Sequence, residues 1–286
     1  GRISEENAAM GLQEYVNFVK KCRARDLDRI SGRIGVHTTY TCSTELLQEV
    51  KKTADELGVG YMMHHLDDRY HHFDTTRRFG LRPTRYLEKI GFLSPNVILF
   101  HCSYIDPLDD PAIFKEYDVK VAHNAESNAI FSFWPNMIPL MKAGVTVGLG
   151  TDGQTFNYFE VMRTAQMIHR IRYENPEVMP DNELLQMATM EGAKALQKED
   201  EIGSLEVGKK ADVVVLRNRS TVPLFEPNVK SYIVGTCERI DVNDVVIDGT
   251  IILKDGEFIT LDEEEVRAKS HETATKLWKR NEWPTP

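Results

Sequence analysis

The sequence predicts an α/β protein of the (β/α)8 TIM-barrel kind, followed by a small β module. Short apolar runs recur at 33–37, 59–65, 97–101, 119–123 and 145–152, each closing on a polar residue and each followed by helical periodicity. From Gly203 onward the text changes to brief strand candidates separated by tight turns. The chain has 286 residues, 41% hydrophobic and 28% charged, which suffices for one sizeable core and a smaller second one.

The elements follow in order. An amphipathic helix is expected over about 5–24. Between the strand candidates lie helical segments at 43–57, 84–90, 111–117 and 135–143, with starts such as Ser43 ahead of Glu45 and the proline at 111. Two further helices are expected at about 158–173 and 181–196. The β module reads as strands at 211–216, 244–247 and 251–253, with turns at Asp248-Gly249 and Asp255-Gly256, and a charged helix at about 262–280 closes the chain. The expected division is a barrel segment at 1–202, the β module at 203–260 and a C-terminal helix at 261–286. Five βα units stand where a closed barrel has eight in about 250 residues. The chain also begins without Met inside a helical pattern, so the expectation is the C-terminal two-thirds of a longer protein, lacking the first barrel strands.

The formal net charge is −9 and the pI about 5.5, leaving no basic surface for a phosphate backbone or an anionic membrane. No nucleic-acid or membrane partner is expected. Cys22, Cys42, Cys102 and Cys237 lack the paired short spacings of a disulfide framework or a thiolate zinc site. No apolar run approaches the roughly 20 residues needed to span a bilayer, and the first residues carry no signal pattern. A cytoplasmic location is the expectation.

In a parallel βα barrel the C-terminal strand ends converge on one mouth. Here those ends carry His37, His64 or His65, His101, His123 and Asp152. Any one histidine at a strand end is usually only packed or solvated. Several together are the imidazole and carboxylate donors that a catalytic Zn²⁺ or Fe²⁺ takes.

Six motifs then resemble, in order, the signatures of the amidohydrolase superfamily, and most closely its deaminase and triazine-hydrolase branch. They are Gly35-Val-His-Thr-Thr-Tyr-Thr-Cys, Met63-His-His-Leu-Asp-Asp, Leu99-Phe-His-Cys, Val121-Ala-His-Asn-Ala-Glu-Ser-Asn, Gly148-Leu-Gly-Thr-Asp-Gly and Ile202-Gly-Ser-Leu-Glu-Val-Gly-Lys-Lys-Ala-Asp. The resemblance implies a metal-ligating histidine followed three residues later by a proton-shuttling glutamate. Two registers fit, His65 with Asp68 and His64 with Asp67. The first is preferred on the His-Leu wording, and in either an Asp replaces the glutamate, one methylene shorter.

The resemblance also implies that His101 orients the attacking water, and that Asp152 binds the metal and takes a proton from that water. His37 would face the substrate, with a purely structural role as the alternative. Asn124, Ser127 and Asn128 would brace the metal site through hydrogen bonds. His123 is expected as scaffold. Phe131, Phe133, Trp134, Phe156 and Tyr158 form either an aromatic substrate wall, with Trp134 and Phe156 its chosen members, or ordinary core. His71 and His72 are expected on an exposed loop rather than as a second metal pair.

The family's first His-x-His element does not occur in this sequence, nor does a bridging lysine of the two-metal kind. One divalent metal is implied, zinc or alternatively iron, with two of its ligands supplied from elsewhere. The implied function is deamination of a purine, pyrimidine or triazine ring by metal-activated water. The alternatives are a dechlorinating or amide-cleaving hydrolase using the same site, and a truncated or degenerate non-catalytic member serving in assembly. The resemblance turns the β module into a small sandwich. A partial barrel and sandwich would expose edges and apolar faces, so pairing with a second copy or with a missing N-terminal segment is expected.

Overall fold

The computed structural model describes residues 4–25 and 29–281. The chain divides into two compact units, one comprising the residues up to Ser204 together with Pro223–Cys237, the other Leu205–Val222 with Glu238 onward.

In the first unit, helix α1 (Glu5–Ala24) precedes five strands, β1 (Ile34–Val36), β2 (Tyr61–His65), β3 (Val97–His101), β4 (Lys120–His123) and β5 (Val147–Leu149). They form one parallel sheet in sequential order β1-β2-β3-β4-β5, the arrangement of a barrel wall. Between β1 and β2 runs α2 (Thr44–Leu57), and α3 (Arg69–Phe79) and α4 (Pro83–Lys89) link β2 to β3. Helix α5 (Asp110–Glu116) follows β3, while α6 (Ala125–Ile130) and α7 (Ile138–Lys142) follow β4. Past β5 come α8 (Tyr158–Tyr173), α9 (Asp181–Ala188) and α10 (Met190–Ala195), and later α11 (Glu226–Gly235).

Local chemistry explains the helix boundaries. Ser43 caps α2 by accepting from Leu46 N, and Gly58 ends it at φ 58°, a left-handed position that glycine adopts without strain. Pro83 and Pro111 sit in the first turns of α4 and α5, where their missing N–H costs nothing. The expected single helix at 181–196 is two helices, broken at Thr189 (φ −128°, ψ −92°). The break lays α10 against β5, where a Cβ on Gly148 would lie 3.1 Å from Gly192 Cα, so a larger residue there would push the α10 backbone away by a few tenths of an ångström.

The core lies between the sheet and its helices. Ile34, Tyr61, Met63, Val97, Leu99, Val121 and Val147 are buried on it, joined by Leu47 and Val50 of α2 and Leu87 of α4. Strand period two then fixes the side-chain faces in β2: Tyr61, Met63 and His65 are buried on the helix side, and Met62 and His64 stay half-buried on the other face.

The second unit contains β6 (Val213–Leu216), β7 (Val242–Ile247), β8 (Thr250–Lys254) and β9 (Glu257–Phe258) in one antiparallel sheet of that order, with helix α12 (Glu263–Arg280). Asp262 caps α12, accepting from Glu265 N. The expected 203–260 boundary needs correction, because Pro223–Cys237 belongs to the first unit. There α11 packs on α8 and α9: Arg163 donates to Cys237 O at 2.8 Å, and Lys230 to Asn182 Oδ1 at 2.6 Å. Of the expected C-terminal segment, 282–286 lie outside the described residues. Among the described residues no helix is long and apolar enough to cross a membrane.

Candidate metal centre

Adjacent strand ends bring three imidazoles into a row. The His37 and His64 ring centroids are 5.2 Å apart, and His64 stacks on His101 at 5.2 Å with 22° between planes. Asp152 completes the group from the loop after β5, its Oδ2 3.9 Å from His101 Nε2. Residues at or just beyond the ends of β1, β2, β3 and β5, up to more than a hundred positions apart in sequence, therefore meet at one end of the sheet.

His101 reaches this group through an unusual backbone. Its register partner across the ladder is His65, which would put both side chains on one face. His101 and Cys102 instead adopt φ of 69° and 47° in succession, turning the chain out of the extended alternation. Such conformations are strained in non-glycine residues and persist where surrounding contacts enforce them. Here His101 Nδ1 donates to Asn128 Oδ1 at 2.9 Å, which leaves Nε2 as the lone-pair nitrogen facing Asp152.

Asp152, itself at φ 54°, accepts from Ser127 Oγ and from Gly153 N, each at 2.6 Å. Burial pushes its carboxyl up, but these two donors, with His101 and His64 nearby, hold it below the ordinary value. Asp152 thus remains ionised. Burial, then the neighbouring His101 and His37, lowers the His64 pKa, so His64 is a neutral imidazole. Its Nδ1 is buried and makes no hydrogen bond among the described residues.

Two expected site residues are elsewhere. His65 is fully buried on the helix side of β2, with Nε2 3.0 Å from Thr84 Oγ1 of α4 and its ring against Phe114 of α5. Burial keeps it neutral well below the usual range. Asp68 caps α3, accepting from His71 N at 2.8 Å. Strand alternation thus turns His65 away from the imidazole row and brings His64 into it, so the preferred pairing of His65 with Asp68 is not the one gathered there.

Around the group, Ser127 bonds to Asp152 and Asn128 to His101, while Asn124, expected beside them, stands at the start of α6 with no side-chain cap hydrogen bond. His37 is exposed, its Nδ1 2.8 Å from Thr41 Oγ1. Trp134 is half-exposed with Arg172 Cζ 5.8 Å from its ring centroid, and Phe156 is 90% exposed, so neither is core. Phe131 stacks on Phe133, and Tyr158 donates to Leu149 O. His123 is buried against His169 at 5.1 Å. The expectation of an exposed His71 fails: it is fully buried on α3 with Nδ1 3.2 Å from Asp67 Oδ1. The one sequence signal for that contact is the four-residue spacing across a helix cap.

A 5-methylthioadenosine/S-adenosylhomocysteine deaminase of Syntrophomonas wolfei subsp. wolfei is 35% identical over 272 residues, covering 93% of this chain and 63% of the relative. A 5′-deoxyadenosine deaminase of Methanothermobacter thermautotrophicus is 33% identical, covering 95% of this chain and 64% of the relative. The chain thus spans under two-thirds of the length of these curated relatives. Among solved structures, an adenosine deaminase from Xanthomonas campestris with bound zinc superposes with TM-score 0.87 at 27% identity, over 93% of this chain and 61% of the other. An atrazine chlorohydrolase from Arthrobacter aurescens TC1, complexed with zinc, shares the fold with TM-score 0.75 at 23% identity, over 89% and 59%. Both superpositions place the parallel sheet within a TIM-barrel hydrolase fold. The amidohydrolase family model matches residues 6–252, taking in all five parallel strands and every residue of the imidazole row, and the chain belongs to that family.

Proposed function

We propose that His64, Asp67, His101 and Asp152 are this chain's share of a metal-dependent aminohydrolase centre that deaminates a nitrogen heterocycle. The observation that carries the reading is the row of His37, His64 and His101 ending at Asp152. The donors fit a divalent ion: a neutral imidazole with a buried, unpartnered Nδ1, and a carboxylate held ionised by Ser127. Among the described residues no group of three or more His, Cys, Asp or Glu is spaced to hold an ion alone. His64 and Asp152 accordingly supply two ligands, and further donors come from outside the described residues.

When bound, a divalent ion, zinc in preference to iron, supplies the Lewis acidity that brings water's pKa toward about 7. His101 offers Nε2 to orient the attacking water, its tautomer fixed by Asn128. Asp152 takes a proton from the attacking water and Asp67 relays a water proton to the leaving amino group, so that the bond from the ring carbon to the amino nitrogen gives way to a C–O bond and ammonia departs. His37 stands exposed at the mouth, placed to contact the substrate; Trp134 and Phe156 would border it only as loop residues. The relatives' names make 5′-modified adenosines the first substrate class to examine.

The second unit supports the partner proposal. No residue of β6–β9 is buried, and Val214, Val215, Ile251 and Phe258 are exposed, so among the described residues no second layer covers the apolar face of this sheet. A second copy or a further polypeptide segment would provide it. Cys22, Cys42, Cys102 and Cys237 are all buried thiols, in keeping with the cytoplasmic setting proposed for the chain.

The test is ammonia release from 5′-deoxyadenosine and its 5′-thio analogues by the zinc-supplemented protein, alone and with candidate partner segments. Activity lost in Asp152→Asn with the fold retained supports the reading. Full activity in that variant rules it out.

A further inference from the structure

Asp67 has two unlike oxygens. Oδ1 lies 3.1 Å from Asp68 N and 3.2 Å from His71 Nδ1, whereas Oδ2 makes no hydrogen bond among the described residues. His71 is fully buried, and groups from three directions face it: Tyr40 edge-on at 5.6 Å, His65 at 5.5 Å, and the turn carrying Leu66, Asp67 and Asp68.

The His71 ring can be assigned a tautomer. Nδ1 is also 3.1 Å from Leu66 N, yet one nitrogen cannot accept from that N–H and donate to Asp67 at once. A lone pair aimed at an ionised carboxylate would be repelled. Nε2 is buried without a hydrogen-bond partner, so a proton placed there would be an unpaired buried donor. Protonation at Nδ1 costs the Leu66 N–H its acceptor, a neutral hydrogen bond that the charge-assisted one to the Asp67 carboxylate outweighs, so the ring proton sits on Nδ1, facing Asp67.

We propose that His71 is the positioning residue for Asp67, clamping Oδ1 through Nδ1–H so that the free Oδ2 carries the proton transfer. The role of Asp67 in turnover rests on the proposed function; the clamp itself does not. A carboxylate one methylene shorter than the glutamate of the family pattern has less reach and less freedom, and a fixed anchor on one oxygen defines where the other stands. Burial would raise the Asp67 carboxyl, but the hydrogen bond from His71, the nearby His71 and His101 rings and the Asp68 N–H bring it down to about 2.

The clamp is tested on the metal-free 286-residue chain by NMR. Long-range ¹H–¹⁵N spectra at neutral pH should show His71 protonated on Nδ1; a ring protonated only on Nε2 overturns the proposal. Following the Asp67 carboxyl carbon, His71→Phe should move its midpoint upward by about two pH units, to the ordinary carboxylate range near about 4 or above. His71→Asn, whose amide N–H can take the place of Nδ1–H, should restore most of the shift. An unmoved midpoint in a folded His71→Phe overturns the clamp, and if that variant does not fold the wild-type tautomer decides. Where turnover is measurable, His71→Phe should lower kcat about tenfold or more with KM little changed, and His71→Asn should recover it. Since the spectra need neither metal nor substrate, failure of the deaminase reading would show as absent activity in the wild type, with the clamp signals unaltered.

Discussion

Exchanging the two adjacent histidines of β2 for alanine, one at a time, should produce opposite phenotypes. His65 is fully buried between Thr84, Phe114 and His71, so His65→Ala leaves a cavity and takes from Thr84 one of its two side-chain partners, the other being Asp110. Cavity formation costs about 2–5 kcal/mol for side chains of similar size, and the Thr84 hydroxyl keeps its hydrogen bond to Asp110, so it adds little. His65 Nδ1 is itself unpartnered, and its removal offsets part of this, giving a net loss of about 2–4 kcal/mol. At about 2–4 °C per kcal/mol for a unit of this size, the melting temperature should fall by roughly 5–15 °C. His64→Ala removes a half-buried ring with an orphaned nitrogen and should shift the melt little, while weakening zinc at least about 100-fold, beyond what loss of an outer hydrogen-bond partner produces. Thermal unfolding by circular dichroism without metal, with zinc competition against a chromophoric chelator, reads both quantities. Zinc binding lost in a stable His65→Ala and kept in His64→Ala would refute the assignment.

Ser127→Ala should leave the fold intact and weaken zinc about 10–100-fold, because Asp152 Oδ2 loses its 2.6 Å donor; chelator competition checks it. Asp110 gives a pH signature in stability. Burial, moderated by the Asp106 N–H and Arg82, raises its carboxyl to about 6 from 3.8. The folded state therefore favours the neutral acid, so its contribution is fully present below about pH 4 and lost as pH rises through about 6, amounting to roughly 3 kcal/mol. Asp110→Asn should flatten that slope in urea midpoints measured between those pH values. Equal slopes in the two proteins would remove Asp110 as its source.

All five parallel strands were legible in the sequence because each is an apolar run closing on a polar residue, and the sheet buries one face of each against helices. Helix α3 was not. Its buried side chains, His71, Asp74 and Thr75, are polar, so the 3.6-residue period is invisible in hydropathy, and its cap Asp68 reads equally well as a catalytic residue. Helix α11 escaped for a related reason: Val234 alone among its residues is buried. His101 and Asp152 could be found from their strand-end positions. The choice between His64 and His65 could not, because each is followed by a carboxylate three residues on; only the phase of β2 relative to its helices separates them.

Zinc titration of the ¹⁵N-histidine-labelled wild-type chain tests the centre most directly. The expected result is that the imidazole resonances of His64, and secondarily of His101, shift and saturate at one zinc per chain, with His65 unmoved and the response lost in Asp152→Asn. A response centred on His65, or one that persists undiminished in Asp152→Asn, would contradict the placement of the metal centre at His64 and Asp152.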